Sequence, residues 1–391
     1  MKNRHILLLQ WLLCSMLTVL FSACSSSDAA EGPKEATHQQ PQLAIYVYAP
    51  EQAAAKRNAA QTRGDVGEVD AITNEGTIDS LQIWIYEQET GNSVGYFSTK
   101  DVSALNQGQG TIYQIPVSDD FASKKPYVNV YVMANVTNAN CGVGTLNKET
   151  AHDALLEGAK ITTEHFGLGS LVKSVPDAGL PFSGYLTAQS VVGDAPTLRV
   201  GTAIAVSTVQ LTRAVSKLRF VFAKTVEEAT VNIKSIKMSA GMIPDEEYLF
   251  KTPTSMSSYN TAEAELLPSP SHISDIAQTA DPTLFIYTNQ TAQAYEDLIN
   301  EAASKATPEV TVYGPIYLRE SDKQLTGTIT YTIGGGTEQT ANFAMQQAGD
   351  FSRNHTWIVY AYYAGSGNLQ VQSLYVKDWS IKEVNHDLYN W

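Results

Sequence analysis

The sequence predicts an all-β protein built from two antiparallel β-sandwich domains with minor helices. Many short segments alternate apolar and polar residues and end at turn residues, which is typical of such sandwiches. Tyrosine occurs 20 times, against 11 Phe and 5 Trp, and this usage favours strands that have one solvated face. The 391 residues suffice for two sandwiches at ~100–200 residues per domain, and we place their join near Ser207.

Composition and charge exclude several classes of protein. With 43% hydrophobic and 17% charged residues, the chain is neither largely disordered nor a polytopic membrane protein. Its 26 basic and 40 acidic side chains give a net charge of −14. A surface this acidic repels phosphate backbones, so we expect no nucleic-acid partner. It also repels anionic lipid head groups, which excludes binding to a membrane surface through charge.

Alternation and turn signals predict the individual elements. The strand candidates are residues 42–48, 80–86, 111–117, 127–136, 198–209, 211–223, 231–238, 283–287, 310–318, 325–333, 340–345, 356–363 and 369–379. A helix is predicted at residues 292–305, with Thr291 as its N-cap, and a shorter one at 148–159. Gly334, Gly335 and Gly336 separate two alternating segments and therefore predict a hairpin turn.

The amino terminus has the pattern of an export signal. Lys2 and Arg4 precede an apolar run that is too short to span a bilayer comfortably and ends in Ser22 and Ala23, before Cys24. The segment LFSAC resembles a bacterial lipobox, so we expect residues 1–23 to be removed and Cys24 to carry the lipid, palmitate included. An ordinary secretory signal cut at a nearby small residue is the alternative.

The cysteines exclude an internal disulfide in the exported protein. Cys14 leaves with the signal and Cys24 is the expected lipid attachment site, so only Cys141 remains. We interpret this thiol as a buried or incidental residue rather than a nucleophile.

A search for catalytic and metal-binding patterns finds none that stands out. The seven histidines show no pair at metal-ligand spacing, and no nucleophile elbow, phosphate loop or dinucleotide glycine pattern occurs. Asp65, Glu68, Asp70 and Glu75 form an acidic group whose spacing does not fit a calcium loop, so we predict a solvated surface loop. We therefore expect no enzymatic activity, no metal and no cofactor.

The loop after the first predicted strand has the composition of a protease-sensitive segment. Residues 51–64 are rich in alanine and small polar residues and contain Arg57 and Arg63, and exposed loops of this kind are preferred cleavage sites. A cut there would detach the strand at residues 42–49 from its domain. A simple linker is the equally weighted alternative.

Several segments, taken in chain order, resemble the fimbrillins, or type V pilins, of Bacteroides-type bacteria. They are the lipobox, the lone early strand with its arginine-bearing loop, IDSLQIWI at 78–85, VQLTRAVSKL at 209–218, RNHTW at 353–357, and VKDW at 376–379 with a tail closing on Trp391. The order of these segments carries the resemblance, which covers nearly the whole chain after residue 20.

The resemblance implies an assembly mechanism as well as a fold. The sandwiches would be transthyretin-like, spanning residues 64–207 and 208–391, behind a propeptide at 24–63. The precursor would be an outer-membrane lipoprotein that an arginine-specific surface protease cuts after Arg63, with Arg57 as runner-up. The first strand, with Leu43, Ile45 and Val47, would then leave. A neighbouring subunit's terminal strand would fill the groove, giving an extracellular fimbrium that mediates adhesion.

Two alternatives stay open at this point. The apolar residues of the tail do not alternate cleanly, and Glu383 and Asp387 interrupt them; these apolar residues are Ile381, Val384, Leu388, Tyr389 and Trp391. This pattern indicates a bulged donor strand or a subunit that caps a fibre. A different class of function, a surface glycan-binding lipoprotein of a polysaccharide-uptake system, requires exposed aromatic platforms. Trp84, Trp357 and Trp379 are the candidates, although their alternating strands favour core packing.

Overall fold

The protein was analysed as a computed structural model, which describes residues 41–49, 75–106, 110–118, 120–121, 127–136, 160–161, 179–190, 207–245, 247–250, 258–267, 270–287, 292–345 and 352–376. The predictions for Cys24, Arg57, Arg63, Cys141, the helix at 148–159 and the tail beyond residue 376 lie outside these residues.

Strands dominate the described part of the chain. They are β1 (Gln42–Tyr48), β2 (Leu81–Glu87), β3 (Ser93–Thr99), β4 (Thr111–Pro116), β5 (Tyr127–Ala134), β6 (Lys160–Ile161), β7 (Phe182–Ser190), β8 (Ser207–Gln210), β9 (Thr212–Arg213), β10 (Ser216–Lys224), β11 (Val231–Met238), β12 (Glu247–Tyr248), β13 (Ala264–Leu267), β14 (Thr311–Leu318), β15 (Thr326–Ile333), β16 (Gln339–Ala344), β17 (Thr356–Tyr363) and β18 (Gln370–Val376). Helical segments within the same ranges are α1 (Ser103–Asn106), a 3-10 helix η1 (Pro282–Phe285) and α2 (Ala292–Ser304). The all-β fold class is confirmed.

The first sandwich encloses one apolar core between two sheets. One sheet has the strand order β4-β1-β8, and the other has the order β3-β2-β5-β7-β9. Side chains that alternate inward from both sheets share one buried cluster, to which Ile45, Ile83 and Val130 contribute. The alternation seen in the sequence therefore follows from burial of one face of each strand.

The second sandwich repeats this arrangement with different strands. Sheets of order β14-β10-β17-β18 and β13-β11-β15-β16 enclose a core that includes Phe220, Tyr331 and Trp357. The opposite face of the β10 and β17 pair is also buried, because η1 and α2 pack on it through Phe285, Tyr295 and neighbouring residues. Burial on both faces explains why every residue of β10 is buried.

Among the strands that the structure describes, most pairs are antiparallel and two are parallel. The parallel pairs are β1 with β8 and β10 with β17. Partners in these pairs are far apart in the sequence, as parallel pairing requires, since a short hairpin cannot connect them.

Several predicted elements begin and end at the residues where the sequence predicts them. The strands Val231–Met238 and Thr356–Tyr363 begin and end as predicted, and α2 ends one residue early. Gly334 and Gly335 adopt φ values of 59° and 71° between paired strands β15 and β16, which confirms the hairpin turn.

The strand predicted at 283–287 is wrong, because the chain forms η1 there instead. Asp281 caps this helix by accepting a hydrogen bond from the Thr283 backbone N–H, and Pro282 occupies a first-turn position. Both features favour a helix start over a strand.

Strand pairing passes from the first sandwich to the second between Arg213 and Ser216. β8 and β9 pair with β1 and β7 of the first sandwich, whereas β10 pairs with β14 and β17. The domain boundary at residues 207 and 208 stays a prediction. No helix in the described ranges is long and apolar enough to cross a lipid bilayer.

Candidate functional site

The strand β1 lies in the middle of its sheet and pairs on both sides. It runs antiparallel to β4, from Gln42 opposite Pro116 to Val47 opposite Thr111. It also runs parallel to β8, from Ile45 beside Ser207 to Tyr48 beside Gln210. The backbone N–H of Leu211 extends this contact by donating to the Tyr48 carbonyl at 2.9 Å.

The inward side chains of β1 fill the core of the first sandwich. Leu43, Ile45 and Val47 are 0% exposed and belong to the cluster shared by both sheets. Full burial of such side chains contributes about 1.5–3 kcal/mol each. The sequence-predicted residues of the early strand therefore lie on one buried face of an ordered strand.

Two outward side chains of β1 also have specific neighbours. The Tyr48 hydroxyl donates a hydrogen bond to the Gln210 side-chain oxygen at 2.8 Å. Tyr46 lies over Gly110, where a Cβ atom would come within 1.9 Å of the Tyr46 hydroxyl oxygen. Glycine at this position allows the tyrosine ring to pack directly on the backbone.

In the described part of the chain, β1 is the only strand that pairs with β4 and the only one that pairs with β8. Removing β1 would therefore leave two facing strand edges with unpaired backbone groups and an open apolar slot between them. Such edges readily pair with another extended chain.

A buried polar cluster lies where the two sandwiches meet, and we call it the Glu75 cluster: Glu75, Arg213, Lys217, Tyr317 and Asn354. The Lys217 ammonium lies 3.1 Å from one carboxylate oxygen of Glu75, and both side chains are about 5% exposed or less. The Tyr317 hydroxyl donates to the other carboxylate oxygen at 2.6 Å. A buried carboxylate needs such partners, because an unpaired one is costly.

This arrangement corrects the prediction for Glu75. The sequence placed it in a solvated acidic loop with Asp65, Glu68 and Asp70, but Glu75 is 4% exposed and paired. The other three carboxylates lie outside the described residues. The physical reason is that its partners are side chains 142 and 242 residues away, which no local pattern reveals.

Arg213, which lies in the motif at residues 209–218, connects Glu75 to the motif at residues 353–357. Its Nε donates to the Glu75 backbone carbonyl at 3.0 Å, and its Nη1 donates to the Asn354 side-chain oxygen at 3.3 Å. The guanidinium also lies over the Phe182 ring, 5.3 Å from its centroid, a favourable cation–π geometry. The motifs at 209–218 and 353–357 therefore meet in space.

Backbone hydrogen bonds hold the two motifs together as well. The Asn354 N–H donates to the Val215 carbonyl at 2.8 Å, and the Lys217 N–H donates to the His355 carbonyl at 2.9 Å. The neighbouring Arg353 forms an ion pair with Glu320 at 2.6 Å and donates to the Leu249 carbonyl at 2.8 Å. The motif thus fixes the start of β17 against β9 and β10.

Burial shifts the pKa of two cluster members in opposite directions. Desolvation lowers the pKa of Arg213 to about 10, although Glu75 and Tyr317 partly offset this effect. Desolvation also raises the pKa of Tyr317 well above its ordinary value, and the adjacent Glu75 carboxylate raises it further. At neutral pH the phenol is therefore a hydrogen-bond donor.

Members of the Glu75 cluster come from both sandwiches. Arg213 lies on β9 of the first sandwich, whereas Lys217 and Tyr317 lie on β10 and β14 of the second. Tyr317 is also a member of the apolar cluster of the first sandwich. Sequence reasoning singled out Arg213, Lys217 and Asn354 as motif residues but missed Tyr317, for which the sequence carried no signal.

The remaining candidates give no catalytic or glycan-binding arrangement in the described ranges. Trp84 and Trp357 are 0% exposed and so pack in the interior, while Trp379 lies outside these ranges. Among the described residues, no group of three or more His, Cys, Asp or Glu side chains is placed to hold a metal ion.

Comparison with known proteins finds a similarity to one protein family over part of the chain. Residues 53–213 match the family model described as the major fimbrial subunit protein FimA, so the predicted resemblance to the fimbrillins is confirmed. No curated protein sequence matches the chain.

The chain is also similar to solved structures, including the following three. The tip fimbrial protein Mfa3 of Porphyromonas gingivalis, truncated at its C-terminus, has 13% identity and a TM-score of 0.49, covering 86% of this chain and 100% of that one. A putative cell adhesion protein of Parabacteroides distasonis has 13% identity and a TM-score of 0.47, covering 87% and 98%. The fimbrilin FimA of Porphyromonas gingivalis has 10% identity and a TM-score of 0.43, covering 85% and 96%.

We predict that Ile45→Ala strongly destabilises the protein. Truncating a fully buried isoleucine costs about 2–5 kcal/mol, and Ile45 is 0% exposed. The matched control is Ile112→Ala, because Ile112 pairs with Tyr46 on the adjacent strand but is 43% exposed, and surface truncations usually change stability by about 0.5 kcal/mol or less. Urea unfolding of both variants measures the difference, and equal losses would contradict the burial of β1.

A second prediction concerns the Glu75 carboxylate. Glu75→Gln should lower the free energy of unfolding by about 3–5 kcal/mol, because it leaves Lys217 and Arg213 buried without the carboxylate charge. Exposed Glu265 on β13 provides the control Glu265→Gln, with an expected change of about 0.5 kcal/mol or less.

The double variant Glu75→Gln, Lys217→Met should lose less free energy of unfolding than the sum of the losses in the two single variants. The reason is that the double variant removes both members of the ion pair together. Chemical denaturation of all four proteins completes the cycle. Strict additivity would show that the two side chains do not interact.

A third prediction concerns alkaline pH. Tyr295, Tyr317 and Tyr360 all have a raised pKa, mainly through burial, so the folded protein keeps these protons above pH ~10 while the unfolded chain loses them. Their contribution to stability is complete below that pH and falls as the pH rises. The pKa of Arg213 is lowered to about 10, so this residue makes the folded protein more stable as the pH rises. We expect the three tyrosines together to outweigh this single opposite effect.

The midpoint of urea unfolding should therefore decrease from pH 9 to pH 11. Tyr360→Phe removes one of the three phenols and should make the decrease shallower by about one proton. A midpoint that stays constant, or rises, over this interval would contradict the assignment.

Proposed function

We propose that this chain, in which residues 53–213 match the FimA major fimbrial subunit family, is a structural subunit of a cell-surface fimbrium that mediates adhesion. In this proposal it is exported as an outer-membrane lipoprotein through Cys24. A surface protease specific for arginine then triggers its assembly with other fimbrial subunits. Its role is structural rather than enzymatic, and it uses no cofactor.

The observation that supports this proposal is the place of β1 in its sheet. β1 pairs on both sides and fills the core with Leu43, Ile45 and Val47, yet it lies at the start of the described chain, ahead of every strand with which it pairs. A cut behind it removes the strand without breaking the chain anywhere else.

The position of the two arginines fits such a cut. Arg57 and Arg63 lie in the sequence between Ala49, which follows β1, and Glu75 of the buried cluster. A cut after Arg63, or after Arg57, would separate β1 and the lipid-bearing Cys24 from the two sandwiches. The same event would thereby release the subunit from the membrane and open the slot.

Energetics couples the loss of β1 to the capture of another strand. The three inward side chains contribute roughly 5–9 kcal/mol by burial, and a whole domain has a net stability of only about 5–15 kcal/mol. An empty slot also exposes strand edges on β4 and β8. A strand from another subunit would restore both the apolar burial and the strand pairing by β-strand addition.

In the proposed assembly the tail of this chain acts as a donor strand. Its apolar residues include Ile381, Val384, Leu388 and Trp391, and we propose that these four enter the groove of a neighbouring subunit. The glycan-binding alternative is disfavoured, because two of its three candidate tryptophans, Trp84 and Trp357, are fully buried.

Treating the full-length protein with an arginine-specific protease tests the proposal. We expect mass spectrometry to show loss of residues 1–63, and the cut protein to exchange β1 for a synthetic peptide of residues 41–50, giving an SDS-resistant complex. Arg63→Gln should block this cut or move it to Arg57, whereas the matched variant Arg57→Gln should still be cut after Arg63.

The proposal is wrong if neither arginine is cut in the folded protein. It is also wrong if the cut protein retains its own β1 and takes up no added peptide.

A further inference from the structure

We propose that the slot occupied by β1 is built to receive the strand of a different protein subunit, and not the tail of a second copy of this chain. This inference rests on the proposed strand exchange. It concerns the chemistry that the slot demands of its occupant, which the structure shows through β1 itself.

The slot accepts three apolar side chains at alternate positions. Leu43, Ile45 and Val47 are each 0% exposed, and their surroundings are the apolar side chains of the shared core, among them Ile115 and Val209. A polar side chain placed there without a hydrogen-bond partner is destabilising, and a charged one is more so.

The slot also fixes the direction and the width of its occupant. A strand that replaces β1 must run antiparallel to β4 and parallel to β8 to reform both hydrogen-bonded ladders. The position after the first apolar residue takes a small side chain, because Ala44 is only 2% exposed although it points away from the core.

The tail of this chain does not meet the apolar requirement in any register. From Lys377 to Trp391, no three alternate residues are all apolar. Four registers place a single polar residue in the slot, and in three of them it is charged. These polar residues are Lys377, Glu383, Asp387 and, in the remaining register, His386.

The least unfavourable register sets Val384, His386 and Leu388 at the positions of Leu43, Ile45 and Val47. It buries an imidazole at the centre of the slot, where Ile45 has no exposed surface. It also places Asn385 at the position of Ala44. A self-complementary fibre would therefore lose much of the stabilisation that β1 provides.

The partner is thus the terminal strand of a different subunit. This strand is an extended segment that carries Leu, Ile or Val at three alternate positions and a small residue directly after the first of them. Since the tail of this chain does not fit its own slot, the chain accepts a strand from one kind of neighbour and donates its tail to another kind.

The test uses the full-length chain with a recognition sequence for an unrelated site-specific protease inserted between residues 51 and 63, so that cutting does not depend on Arg57 or Arg63. After the cut, we expect the wild-type tail to give no SDS-resistant ladder. A peptide of residues 41–50 should displace β1, and a peptide of residues 380–391 should bind at least about tenfold more weakly.

Two matched tail variants test the register. The double variant Asn385→Ala, His386→Val makes all three slot positions apolar and should produce a ladder. The control Asn385→Ala, Asn390→Val adds the same valine outside the three slot positions and leaves at least one polar residue in every register of the tail, so it should not. The two proteins differ only in where the valine lies.

The inference is overturned if the cut wild-type chain forms an SDS-resistant ladder as readily as the double variant with His386→Val. It is also overturned if the two double variants form ladders to the same extent. A cut chain that rejects the peptide of residues 41–50 refutes strand exchange itself, and the inference with it. Failure of the arginine-specific cut in the unmodified protein, by contrast, contradicts the proposed function as stated above but leaves this inference standing, because the inserted site supplies the cut.

Discussion

The two-sided pairing of β1 is the constraint on which the first sandwich depends. β1 joins β4 to β8, and in the described part of the chain these two strands have no other ladder partner. Its inward residues complete the core that the five-stranded sheet needs on its opposite side. Only the segment between Ala49 and Glu75 retains β1 covalently.

The Glu75 cluster determines what remains in place if β1 leaves. β8, β9 and β10 follow one another directly in the sequence, so β8 is tied to Arg213, three residues beyond its last residue. Arg213 is in turn held by Glu75, Asn354 and Phe182. All of these residues lie after Arg63 in the sequence and would stay with the cut chain. One wall of the slot therefore keeps its anchor when the slot is empty.

Local patterns predicted most of the strands but could not predict the Glu75 cluster. The strand at 231–238 alternates inward and outward residues, and β17 is long and rich in β-branched and aromatic residues, so both could be predicted from the sequence. The failure at 283–287 arose because Asp281 and Pro282 start a helical turn that outweighs the apolar composition. Glu75 looked like one carboxylate among four, since Lys217 and Tyr317 are distant in the sequence.

The burial of the motif cations changes how the charge of this chain is interpreted. In an acidic protein of net charge −14, a group of basic residues on the surface would suggest an anionic ligand. Arg213 and Lys217 are 4% exposed and face Glu75, so their charge is used within the chain to join two sandwiches. In the proposed strand exchange, a partner would recognise the backbone edges and the apolar slot that β1 covers, and these would select a strand by the alternation of its side chains rather than by charge.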